Sequence, residues 1–103
     1  MTVVETREFI GQTRGLLTEP EIADLISHLA RHPDAGDIIR RSGGVRKLRW
    51  RAKGKGKRGG ARVVYFFQRH TETLYLLTAF SKSVKIDLTE EELQELREIV
   101  KQL

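Results

Sequence analysis

Arg46-Lys47-Leu48-Arg49-Trp50-Arg51 alternates cationic and apolar side chains. In an extended chain, successive side chains point to opposite faces, so Leu48 and Trp50 share one face while Lys47, Arg49 and Arg51 share the other. The expected element is a half-buried strand with three cations on its open face and Trp50 in the core. Arg62-Val63-Val64-Tyr65-Phe66-Phe67 follows, rich in the branched and aromatic residues that suit a pleated sheet. Between the two, Lys53-Gly54-Lys55-Gly56-Lys57-Arg58-Gly59-Gly60 holds four glycines and reads as a cationic hairpin loop. A turn near Arg69-His70-Thr71-Glu72 leads to Leu74-Tyr75-Leu76-Leu77-Thr78-Ala79-Phe80, whose near-continuous apolarity predicts a central strand.

Helices are expected on either side of these strands in the sequence. Val3-Val4 and Phe9-Ile10 suggest a short opening strand and a short helix, broken near Gly11 and Gly15. Thr18-Glu19-Pro20-Glu21 is a capping box with proline in the first turn. Ile22, Leu25, Ile26 and Leu29 then recur at helical spacing, to about His32. Pro33 ends that helix, because the residue before proline avoids the helical region. Asp34 to Gly44 reads as a connector. Thr89-Glu90-Glu91-Glu92 is a second capping box, and Leu93, Leu96, Ile99, Val100 and Leu103 form the stripe of a final helix. The order is β-α-α-β-β-β-α. The fold class is α+β: about four mostly antiparallel strands, with the helices packed on one face.

One hundred and three residues imply a single domain, 1–103, with a modest core and no deep enclosed cavity. The absence of cysteine excludes disulfides and thiolate metal sites. No apolar run approaches a membrane span, and the N-terminus has no signal-peptide pattern, so no membrane association and a cytoplasmic location are expected. The net charge of +5 is unevenly placed. Residues 38–71 carry 12 Lys and Arg and no acid, whereas the other 69 residues sum to −7. Such clustering, interleaved with apolar residues at strand spacing, is the footprint of a polyanion binder.

The ordered combination of Pro33 to Ile39, Gly43 to Arg49, the glycine-lysine loop feeding Gly59-Gly60-Ala61-Arg62-Val63-Val64-Tyr65, and Leu76 to Lys82 with Asp87-Leu88 resembles the HigB-like branch of the RelE/ParE superfamily of bacterial toxins. That resemblance implies a small RelE-like fold and an mRNA interferase: a ribosome-dependent endoribonuclease that cuts translated mRNA in the decoding site and halts translation. It implies no metal and no cofactor. It also implies a cognate antitoxin, usually of helix-turn-helix type, through which the complex reaches operator DNA. Two other readings stay open at this stage: a ParE-like inhibitor of DNA gyrase, and a non-catalytic RNA-binding relative.

Metal-free RNA cleavage needs a proton taken from the 2′-hydroxyl, charge stabilised on the phosphorane, and a proton given to the leaving oxygen. Fixed cations suit the second task. Arg62, Lys47 and Arg49 are the leading catalytic candidates, matching basic positions that contact or act on RNA in the family. Lys47 or Lys82, if crowded by like charges, is a candidate base. Arg51, Lys53, Lys55, Lys57 and Arg58 are expected to attract RNA phosphates. Phe80 stands where some relatives have a tyrosine, and Ser83 where some have an arginine, which leaves the proton donor open. His28 and His32 have metal-compatible spacing but no evident third ligand, so no metal site is expected. His70, in a turn, is a remote candidate for a base.

Overall fold

The computed structural model describes residues 1–51 and 60–103. Its five-stranded sheet comprises β1 (Thr2–Glu5), β2 (Asp37–Ile38), β3 (Arg46–Trp50), β4 (Ala61–Gln68) and β5 (Thr73–Ser81), in the order β1-β5-β4-β3-β2. β1 runs parallel to β5, and every other pair is antiparallel. The helices are α1 (Arg7–Thr13), α2 (Glu19–Arg31) and α3 (Glu90–Lys101). The expected element order holds, with one strand more. The extra strand, β2, is two residues long and lies inside the segment read as a connector, too short to show a periodicity of its own.

Both expected capping boxes form. The Thr18 hydroxyl accepts from the Glu21 N–H while the Glu21 carboxylate accepts from the Thr18 N–H, and Thr89 and Glu92 repeat the arrangement on α3. α1 runs through Gly11 and stops before Gly15, whose φ of +73° is a left-handed conformation that suits glycine.

The expectation that the helices share one face of the sheet is corrected by the structure. Phe9 of α1 and Leu25 and Leu29 of α2 pack with Val63, Tyr65, Leu74, Leu76 and Ala79. Leu96 of α3 packs on the opposite face with Val45, Val64, Leu77 and Phe80. The physical reason is in β4 and β5, where apolar residues occupy both alternations: a strand apolar on both faces needs cover on both. A β-bulge adds one residue to β5 opposite Val64 and Tyr65, so that Leu76 and Ala79, three residues apart, point into one core and Leu77 and Phe80 into the other.

Tyr65 is fully buried and stitches the sheet to the chain leaving α2. Its hydroxyl donates to the Pro33 carbonyl and accepts from the Gly36 N–H, both at 2.8 Å. A Cβ on Gly36 would lie 2.9 Å from the Tyr65 ring, so glycine is what permits this approach. Among the described residues, no helix is long and apolar enough to cross a membrane.

Candidate functional site

Strand register sets the site. Arg49 of β3 lies opposite Arg62 of β4, and Arg62 lies opposite Phe80 of β5. Lys47, two residues before Arg49, is opposite Val64. Because Val64 and Phe80 belong to the core under α3, Lys47, Arg49 and Arg62 share the α3 face. α3 covers that face near Val45, Val64 and Phe66, while Arg49 stays exposed and Lys47 and Arg62 are half-buried. The sequence reading of one cationic face on two strands therefore holds for these three residues. Gly60 positions Arg62: with φ at +67° and no Cβ, it lets the chain pass where a Cβ would stand 2.6 Å from the Trp50 carbonyl oxygen.

The segment after β5 folds onto the same face. Lys47 Nζ donates to Asp87 Oδ1 at 2.9 Å, and the Leu88 N–H donates to the same oxygen at 2.8 Å. Lys82 Nζ donates to the Ile86 carbonyl at 2.8 Å, and its charge is also felt at Asp87. Burial works to raise the Asp87 carboxyl. The hydrogen bonds from Lys47 and Leu88 and the charges of Lys47 and Lys82 together outweigh it and hold the group below the usual carboxylate range. In the sequence, Asp87 stands out only as part of the stretch Asp87-Leu88 that carries the family resemblance. Its role as partner of Lys47, 40 residues away in the chain, has no local signal.

Other residues fall elsewhere. Arg51 follows β3 rather than extending it, and it lines a groove with Trp50 and with Thr18, Pro20, Glu21 and Asp24 around the start of α2. The expected third cation of the open face is thus not part of that strand. Lys53, Lys55, Lys57 and Arg58 lie outside the described residues. Arg46 and Arg69, within the basic stretch, both bind the Asp34 carboxylate, at 3.2 and 2.7 Å. His70 sits past the end of β4 opposite to Arg62, roughly 25 Å away at strand rise, which removes it as a base for this site. The His28 ring lies tilted against those of His32 and Trp50, with ring centroids 5.2 and 5.3 Å away. Trp50 packs against the α2-side core, as its alternation implied, and its indole N–H donates to the Glu21 carbonyl. Among the described residues, no three His, Asp or Glu side chains come together as a metal-binding group.

Phe80 is buried and has no hydroxyl to offer, and the Lys85 ammonium lies 5.8 Å above its ring. The Ser83 hydroxyl is hydrogen-bonded to that of Ser81 at 2.8 Å, so the position that holds an arginine in some relatives is neutral here. Burial pushes the Tyr65 phenol up, despite the Gly36 N–H and the Arg46 charge that favour its ionised form. Tyr65 lies on the α2 side of the sheet and is no proton donor for the cationic face.

A family model described as the RelE toxin of the RelE / RelB toxin-antitoxin system matches residues 1–103. The chain belongs to the RelE toxin family. Solved structures of RelE proteins share its fold. An arginine-to-alanine double mutant of the E. coli toxin RelE in the free state matches with a TM-score of 0.63 at 12% identity, over 96% of each chain. A chain of the intact E. coli RelBE toxin-antitoxin complex matches with a TM-score of 0.59 at 13% identity, covering 78% of this chain and 94% of that one. This RelE-family chain therefore keeps the architecture with little of the sequence.

Proposed function

We propose that this toxin is a metal-independent, ribosome-dependent mRNA endonuclease of the HigB-like branch, which acts in the cytoplasm and is neutralised by a cognate antitoxin. The observation that carries this reading is the placement of Arg49 directly opposite Arg62 on the open end of the α3 face. Like charges at opposed register positions weaken a strand pair. An anion bridging them reverses the sign, and two guanidiniums present paired N–H donors that match phosphate oxygens.

In this reading, Arg62 and Arg49 grip the scissile phosphate and stabilise the charge that grows on it as the 2′-hydroxyl gives its proton to solvent water, its oxygen bonds to phosphorus and the bond to the 5′-oxygen breaks. The products are a 2′,3′-cyclic phosphate and a free 5′-hydroxyl. Lys47, an ammonium hydrogen-bonded to Asp87, suits charge stabilisation and donation to the leaving oxygen. Lys82 adds a cation at the rim, though its ammonium is engaged by Ile86. Arg51, Lys53, Lys55, Lys57 and Arg58 supply salt-sensitive attraction to RNA. The antitoxin, of helix-turn-helix type in this reading, masks the cations and brings operator DNA to the complex.

The test is to add purified toxin to a cell-free translation reaction and map mRNA 5′ ends, with Arg62→Ala alongside. In-frame cuts on translated message only, lost in the variant, are the expected result. Intact message with undiminished translation sinks the reading. DNA-damage signalling on induction with intact mRNA would favour gyrase as the target.

A further inference from the structure

We infer that Asp87 is a positioning residue for the proposed cleavage: its carboxylate fixes the direction of the Lys47 ammonium on the cationic face. The inference rests on the nuclease reading above.

The geometry goes beyond an ordinary surface ion pair. Asp87 Oδ1 receives the Leu88 N–H as well as Lys47 Nζ, so the carboxylate is itself oriented before it meets the lysine. The loop carrying it is closed by Lys82, whose ammonium holds the Ile86 carbonyl one residue earlier. Lys85 anchors the same loop to Glu92 of α3. Three successive contacts thus deliver one carboxylate to one lysine. The Lys47 side chain is 30% exposed, against 54% for Asp87, so the lysine is the more sheltered partner of the pair.

An ammonium has three N–H donors. With one held by Asp87, two remain to donate to RNA from the face that Lys47 shares with Arg49 and Arg62. The carboxylate also offsets the charge of Lys47, one of the three cations on this face, and lies in the field of Lys82. Asp37 holds the register position opposite Lys47 on β2, so it is a candidate to compete for the lysine if Asp87 is removed. Asp87 touches no reacting atom in this scheme. It acts through Lys47, and that makes the inference separable from a merely structural role.

The experiment measures single-turnover cleavage on ribosomes programmed with a defined mRNA, using the full chain. Asp87→Asn, which keeps the shape and loses the charge, is expected to slow cleavage at least tenfold at saturating ribosomes. The half-saturating ribosome concentration should stay within twofold. In a Lys47→Ala background the same substitution should change the rate by less than twofold, because the group it acts through is gone. Asp87→Glu should recover part of the loss. A wild-type rate in Asp87→Asn overturns the inference and leaves the nuclease reading standing. So does an equal loss in both backgrounds, which would mean that Asp87 only holds the loop. A wild-type protein that cuts nothing overturns the nuclease reading and this inference with it.

Discussion

The two faces of the central sheet are built from the same strands and do opposite work. Toward α1 and α2, residues such as Val63, Tyr65, Leu74 and Leu76 are completely buried. Toward α3, apolar residues fill only part of the face, and the remainder presents Lys47, Arg49 and Arg62. One residue of register separates Val63, at the heart of a core, from Arg62, at the heart of the candidate site. The lesson is a division of labour by alternation: stability is concentrated on the closed face, so the open one can carry charges that the fold does not need.

Substitutions can break that division or sharpen it. The largest expected effect is on the closed face. Leu29→Ala should destabilise by about 2–5 kcal/mol through lost burial and a residual cavity, read by urea denaturation, while cleavage per folded molecule stays unchanged. A change in cleavage chemistry would show that the faces are coupled. Next comes Arg62→Ala, with a loss of roughly 10²–10³-fold in cleavage and a stability within about 1 kcal/mol of wild type. A collapse of the fold in this variant would mean that the open face is structural after all.

Tyr65→Phe ranks third. It leaves the Gly36 N–H and the Pro33 carbonyl without their shared partner in a buried place, at a cost of about 1–3 kcal/mol. Thermal melting checks this, and cleavage should be retained. The smallest effect concerns acid. Asp87 is held below the usual carboxylate range. So is Glu92, chiefly by the hydrogen bond from Lys85. A depressed folded-state pKa contributes stability above the ordinary value, near about 4, and that stability is lost as pH falls through the lowered folded value. Asp87→Asn and Glu92→Gln should each flatten this acid limb in urea titrations. Asp87 is exposed and the Glu92 side chain is 39% exposed, so solvent screening should keep each contribution under about 1 kcal/mol. An unchanged acid limb in both variants would show that these pairs do not persist in solution.

Much of the molecule was readable in one dimension because its signals are local. Capping boxes at Thr18 and Thr89 announce helix starts within four residues, and Leu48 and Trp50 alternate with Lys47 and Arg49 within five. The three cations could be placed on one face because alternation and a single hairpin suffice to bring them there. What escaped was non-local. β2 is a strand only because Asp37 and Ile38 meet Lys47 and Arg46. Alternation continued past Trp50 puts Arg51 on the open face, but the strand ends at Trp50. His70 has the chemistry of a base, but β4 carries it to the far end of the sheet from Arg62.

By itself, then, the sequence determined every element but β2, the order of those elements, the concentration of positive charge in residues 38–71 and the alternation that sorts apolar from cationic side chains, since each depends on neighbours a few residues apart. Only the tertiary structure decided which sheet face each helix covers, that β1 joins parallel to β5, and that Asp87 meets Lys47 across 40 residues. The reason is physical. Local periodicity states which side of a strand wants to be buried, but what buries it, and which distant charge comes to rest against it, depends on how the whole chain fills space.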